Sequence, residues 1–194
     1  DLFEYWLGDD AIADIAQTVQ TELQQLSDSC CQCYFMAGNR DFLLGESFAD
    51  SCDLTLLQEP HIIDLYDRPA LLVHGDAECT DDVAHQKARQ LLRDPQWQQQ
   101  FLAMPIEKRI EFAQQARQQS REHTGQANMA IMDVNQNAIQ SLFKQHNVDL
   151  LIHGHTHRPA VHQYEKKTRI VMGDWHLQTH YLEATPTNLR LINY

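Results

Sequence analysis

Residues 150–159 read LLIHGHTHRP. An apolar run ends at His153, a glycine follows, and His155 and His157 stand two apart behind it. A short apolar run of this kind reads as a buried strand of a layered α/β protein. The polar corner at the end of such a strand is where these sheets bind ligands. Gly154 lets the backbone bend there, so both following imidazoles can turn toward one point. Imidazole is a good ligand for first-row divalent metals. His153, still on the strand, reads as a structural residue.

Three other corners have the same form. CYFMA (33–37) runs into GNRD, ALLV (70–73) into HGD, and IVM (170–172) into GDW. Further strands are expected at 54–57, 61–66 and 189–192. Apolar positions at Ile12, Ile15, Ala16, Val19, Leu23 and Leu26 mark a helix over 11–26. A second helix is expected over 135–146, with Ala138, Ile139, Leu142 and Phe143 inward. With no linker composition and no internal repeat, the chain reads as one domain spanning 1–194.

Residues 81–132 differ from the rest. They are glutamine-rich, read as all helical, and fall between the HGD and HGHTH corners. Trp97, Phe101, Leu102, Met104, Ile106, Ile110 and Phe112 give them an apolar side. The formal net charge of the chain is −12, which excludes a general nucleic-acid binder. Yet Lys87, Arg89, Arg93, Lys108, Arg109, Arg117 and Arg121 outnumber the acids Asp94, Glu107 and Glu111 in their stretch. Taken alone, the apolar side is ordinary helix core.

The five cysteines, at 30, 31, 33, 52 and 79, are odd in number and lack repeat spacing, so no disulfide framework is expected. Cys30, Cys31 and Cys33 read as small apolar residues entering a buried strand rather than as a thiolate metal site. No run reaches the ~20 apolar residues of a membrane span.

The corners supply a donor set. Asn39 offers an amide oxygen, His74 an imidazole, and Asp1 a carboxylate able to bridge two metals. With His155 and His157 this is a mixed N/O set without sulfur, suited to Mn²⁺, Fe²⁺ or Zn²⁺. Two such ions ~4 Å apart clamp a phosphoryl group and generate hydroxide near neutral pH.

In this order, Asp1, Gly38-Asn39, His74 and GHTH (154–157) resemble the calcineurin-like metallophosphoesterases. That resemblance implies a four-layer αββα sandwich of the α/β class, here with a helical lid insertion at about 81–132. The family's D-x-H element is absent before Asp1, so an N-terminally truncated chain lacking its first strand is expected. The third motif is GNRD where the family has GNH[DE]. Arg40 thus replaces a histidine; it cannot act as an acid near neutral pH, but can neutralise phosphate bidentately.

GNRDFLLG (38–45), HGD with CTDD (74–82), AIMDVNQNA (130–138) and HGHTHRPAVH (153–162) resemble the UDP-2,3-diacylglucosamine hydrolases of lipid A biosynthesis. The resemblance implies cleavage of the substrate pyrophosphate to UMP and 2,3-diacylglucosamine 1-phosphate, a pair of Mn²⁺ ions, and a lid sheltering the acyl chains. It also implies peripheral contact with the cytoplasmic face of an anionic inner membrane. Residue by residue, Asp1 would bridge the metals, and His74 and His155 would hold one ion and His157 the other. Asn39 and His155 would touch both metal and phosphate, and Arg40 the phosphate. Asp82, Ser120 and Thr124 would line the substrate. The family lysine three residues after Thr124 is Ala127 here, a loss for which Arg117 or Arg121 would have to compensate. Two other readings stand beside this one: a phosphoesterase for another substrate, and a metal-deficient scaffold of the same fold.

Overall fold

The computed structural model describes residues 1–126, 131–175 and 178–194. The chain divides into two compact units, Asp1–Gln58 with Ala84–Asn128, and Glu59–Val83 with Met129–Tyr194.

In the first unit, strands β1 (Cys33–Met36) and β2 (Leu54–Leu57) pair in parallel. Helix α1 (Asp14–Asp28) starts three residues later than its apolar pattern, with Asp14 favourably placed in the first turn. Its inward face is Ala16, Val19 and Leu23, whereas Ile15 and Leu26 are exposed. The core of this unit joins α1, β1 and α2 (Glu46–Ser51) to an aromatic trio. Phe3, Trp6 and Phe48 meet at centroid distances of 4.6–5.8 Å. Cys30 and Cys31 are exposed rather than entering a buried strand, and all five cysteines are free thiols.

The glutamine-rich segment opens on a turn at residues 80–81 and then forms α3 (Val83–Leu92), α4 (Pro95–Leu102) and α5 (Ile106–Gln126). Asp94 caps α4 by accepting from the Trp97 amide at 2.9 Å, and Pro95 occupies the first turn, where no amide hydrogen is needed. Phe101 is buried, stacked on Trp97 at 5.0 Å and edge-on to Phe112 at 5.4 Å. Leu102, Met104, Ile106, Ile110 and Phe112 remain exposed, so this side is not ordinary helix core.

Among the described residues the second unit holds a five-stranded sheet: β3 (His61–Asp64), β4 (Pro69–Val73), β5 (Leu150–His153), β6 (Ala160–Tyr164) and β7 (Lys167–Val171). Their order is β3-β4-β5-β7-β6, with β4, β5 and β7 parallel and the outer strands antiparallel. Side chains alternate between faces. Leu71, Val73 and Leu151 pack with Ile139 and Phe143 of α6 (Gln136–His146). Ala70, Leu150, Ile152 and Ile170 pack with Leu182, Leu189 and Leu191 of the hairpin β8 (His180–Thr185) and β9 (Asn188–Asn193). Burial on both faces is why β4 and β5 read as unbroken apolar runs. Parallel pairing puts the ends of β4, β5 and β7 on one edge, so the corners at His74, His155 and Gly173 become neighbours.

Candidate functional site

The second unit's corners are tied together through the backbone. The Gly154 amide donates to the His74 carbonyl at 2.9 Å, and the Met172 amide to the His153 carbonyl at 2.7 Å. Gly75 adopts φ +113° with the His153 ring beside it; a Cβ there would lie 2.9 Å from Nδ1, so this corner needs glycine. The His74 amide in turn donates to the Glu59 carboxylate. The His74 and His155 rings meet edge-on with centroids 5.1 Å apart.

His155 and His157 both adopt left-handed backbone conformations, φ +64° and +52°. Non-glycine residues hold such conformations at a cost of about 1–3 kcal/mol each, and they cluster at functional sites. His157 lies with Nδ1 3.2 Å from the Asp174 carboxylate. His153 is buried and donates from Nδ1 to the Gly154 carbonyl at 3.0 Å. Burial pushes its pKa down to about 4, so the ring is neutral and structural, as its place on the strand implied.

The loop from His74 to Val83 buries Asp76, Glu78 and Asp82. It is strapped to the start of α6 by the Asn135 amide on the Glu78 carbonyl at 2.8 Å and by the Asn135 side chain on Asp81 at 2.9 Å. Cys79 is buried there, and desolvation, reinforced by the surrounding carboxylates, raises its thiol to about 12, which makes it inert.

The first unit carries the other candidates. Gly38 abuts Asp1 so closely that a Cβ would stand 2.0 Å from Oδ1. The Arg40 amide donates to Asp1 Oδ1 at 2.9 Å, and buried Asp41 accepts from the amides of Gly38 at 2.8 Å and Phe3 at 3.2 Å. GNRD thus wraps the Asp1 carboxylate, and Asn39 lies within that wrap. The Arg40 guanidinium pairs with Glu4 at 2.7 Å, and Arg117 of α5 pairs with the same carboxylate. Ser120 is exposed on α5. The Thr124 side chain and Ala127 lie outside the described residues.

Two basic residues of the helical segment are structural anchors, which composition did not reveal. Arg109 is buried and binds the carbonyls of Leu7 and Met104 and the Asp10 carboxylate. Arg93 donates to the Gly38 carbonyl at 3.0 Å and lies over the Phe42 ring. Sequence reasoning also passed over Asp174 and Glu59; the GDW corner was the signal for the first, and the second had none.

The family model described as calcineurin-like phosphoesterase matches residues 1–159. A UDP-2,3-diacylglucosamine hydrolase of Chromohalobacter salexigens is 48% identical over 179 residues, covering 90% of this chain and 73% of the relative. The same-named protein of Nitrosococcus oceani is 46% identical, covering 96% and 76%, and that of Shigella dysenteriae 43%, covering 100% and 82%. The chain belongs to the UDP-2,3-diacylglucosamine hydrolase family of calcineurin-like phosphoesterases. Its fold is therefore the α/β metallophosphoesterase fold, and its chemistry that of a hydrolase with a divalent-metal centre. The histidine corners of the second unit suit that centre: they offer imidazole nitrogens and no thiolate.

Proposed function

We propose that this chain hydrolyses the pyrophosphate bond of UDP-2,3-diacylglucosamine, releasing UMP and 2,3-diacylglucosamine 1-phosphate. The observation that carries the reading is the strand-end cluster of the second unit, with His74 and His155 in ring contact and both GHTH histidines in costly left-handed conformations. His74 and His155 would hold one Mn²⁺ and His157 a second, with Asp1 bridging and Asn39 supplying an amide oxygen. A bound pair of ions supplies a nucleophilic hydroxide near neutral pH and neutralises phosphoryl oxygens.

The chain's own residues do the rest. Gly38, Arg40 and Asp41 hold the Asp1 carboxylate and its loop in place through backbone contacts and hydrogen bonds. Arg40 and Arg117 converge on Glu4, so two guanidinium groups already share one anion. A substrate phosphate exchanging for that carboxylate would meet both, which favours Arg117 over Arg121 as the replacement for the lysine absent at Ala127. One water oxygen bonds to one phosphorus, the bridging P–O bond breaks, and the departing phosphate keeps the bridging oxygen. Asp82, Ser120 and Thr124 are assigned to the sugar and nucleotide by their motif positions.

The 194 residues act as one metallophosphoesterase domain in this reading, and residues of about 81–132 as its lid. The exposed apolar residues Leu102, Met104, Ile106, Ile110 and Phe112 support a surface for acyl chains. Exposed Lys87, Lys108 and Arg121 support contact with the anionic cytoplasmic face of the inner membrane, and no described helix is long and apolar enough to cross one.

The test is ³¹P NMR of UDP-2,3-diacylglucosamine in detergent micelles, incubated with the protein and Mn²⁺ or with a chelator. Two phosphomonoester signals replacing the pyrophosphate pair only with Mn²⁺ is the expected result. An intact pyrophosphate under both conditions overturns the reading.

A further inference from the structure

The GDW corner after β7 is not used by the chemistry above, yet it reaches the site. We propose that Asp174 is a positioning residue for His157, fixing its imidazole as the Nδ1–H tautomer so that Nε2 carries the lone pair for a divalent cation. This rests on the assignment of His157 as a metal ligand.

The Asp174 carboxylate lies 3.2 Å from His157 Nδ1, and both side chains are about one-third exposed. A neutral imidazole has one donor and one acceptor nitrogen, and the hydrogen bond at one nitrogen decides the role of the other. An acceptor-only carboxylate at Nδ1 selects the proton there. It also fixes the ring plane and makes Nε2 more basic toward a cation, as carboxylate–histidine pairs do at metal sites.

Asp174 is itself held. His180, buried at the start of β8, donates from Nδ1 to the Asp174 carbonyl at 3.0 Å. The Trp175 indole donates to the His180 carbonyl at 2.7 Å, closing the loop onto the strand from the other side. Gly173 makes this possible: a Cβ there would stand 2.4 Å from His180 Nδ1 and 2.5 Å from its Cγ. The Met172 amide on the His153 carbonyl anchors the preceding residue to β5, whose continuation carries His157. Each residue of the corner thus has a part in aiming one carboxylate at one imidazole: Met172 anchors, Gly173 leaves room, and Trp175 locks.

The experiment is long-range ¹H–¹⁵N NMR of the histidine side chains of the full chain at pH 8, where an ordinary imidazole is neutral. It is run on wild type, Asp174→Asn and Asp174→Ala, alongside Mn²⁺ titrations followed by electron paramagnetic resonance. His157 is expected as the Nδ1–H tautomer in wild type and Asp174→Asn, whose amide oxygen still accepts. In Asp174→Ala it is expected to lose that preference, with Mn²⁺ affinity falling about 10–100-fold. A merely structural role predicts a lowered Tm with an unchanged tautomer. An unchanged tautomer in Asp174→Ala overturns the proposal, as does a changed tautomer with unchanged Mn²⁺ affinity. The tautomer is read without metal or substrate. A tautomer switch with weakened Mn²⁺ binding in a protein that cleaves no pyrophosphate would therefore leave the positioning role intact and remove the hydrolase reading alone.

Discussion

Replacing Arg109 by alanine removes the principal anchor of α5. The guanidinium is 2% exposed and donates to the Leu7 carbonyl at 2.6 Å, the Met104 carbonyl at 3.1 Å and Asp10 Oδ1 at 2.7 Å. Hydrogen bonds from a charged donor contribute about 1.5–3 kcal/mol each, so the two carbonyl bonds carry about 3–6 kcal/mol. The Asp10 pair adds at most about 1 kcal/mol, because that carboxylate is 60% exposed and solvent screens it. Arg109→Ala is therefore expected to cost about 4 kcal/mol, and Asp10→Ala about 1 kcal/mol. At a urea slope near 2 kcal/mol/M these are midpoint shifts of about 2 M and 0.5 M. The assay is urea unfolding followed by tryptophan fluorescence, since Trp6 and Trp97 lie in the same unit.

The pH dependence of that difference is also fixed. The hydrogen bond from Arg109 holds the Asp10 carboxyl below its ordinary value of 3.8. A lowered folded-state pKa contributes stability above the unfolded value, and that contribution is lost as pH falls through the folded one. The gap between wild type and Asp10→Ala should persist from pH 7 to about 5 and close below pH 3.8. A cost for Arg109→Ala below about 1 kcal/mol, or equal costs for both variants, would refute the reasoning.

Gly38→Ala should displace the Asp1 carboxylate, since the new Cβ would stand 2.0 Å from Oδ1; Mn²⁺ titration is expected to show at least tenfold weaker binding. Glu4→Gln frees Arg40 and Arg117 from their shared carboxylate, so KM for the lipid nucleotide should fall with kcat little changed, as steady-state kinetics will show. Phe101→Ala removes the buried ring against Trp97 and Phe112 and should cost about 3–5 kcal/mol in urea unfolding. Iodoacetamide mapped by mass spectrometry should label exposed Cys30 and Cys31 in the native protein and spare buried Cys52 and Cys79, both of whose thiols burial raises.

The sheet edge was legible because β4 and β5 are buried on both faces: continuous apolar runs ending in glycine-containing corners have few other readings. Helix α6 was legible to within a residue because Asn135 caps it and Ile139 and Phe143 keep its period. The edge strand β6 was hidden, since its faces alternate between half-buried and exposed and its sequence merges with the GHTH loop. Ile15 and Leu26 fit the apolar pattern of α1 but point outward, because composition marks a possible face and packing chooses the actual one.

The candidate ligands could be read because motif order and strand-end position coincide. What surrounds them could not. Arg109 read only as one basic residue of the helical segment, and only the fold shows it buried against carbonyls; that Arg117 shares Glu4 with Arg40 was likewise invisible in the sequence. Asp174 lies seventeen residues from His157, in another corner, and nothing local pairs them.

The central claim is that the strand-end histidines support hydrolysis of a lipid-linked nucleotide. Its most direct test is UMP release from UDP-2,3-diacylglucosamine with Mn²⁺, measured for this chain and for His155→Ala. The account predicts Mn²⁺-dependent release that falls at least a thousandfold in the variant. Equal rates in the two proteins, or no release from a folded, Mn²⁺-binding wild type, would contradict it.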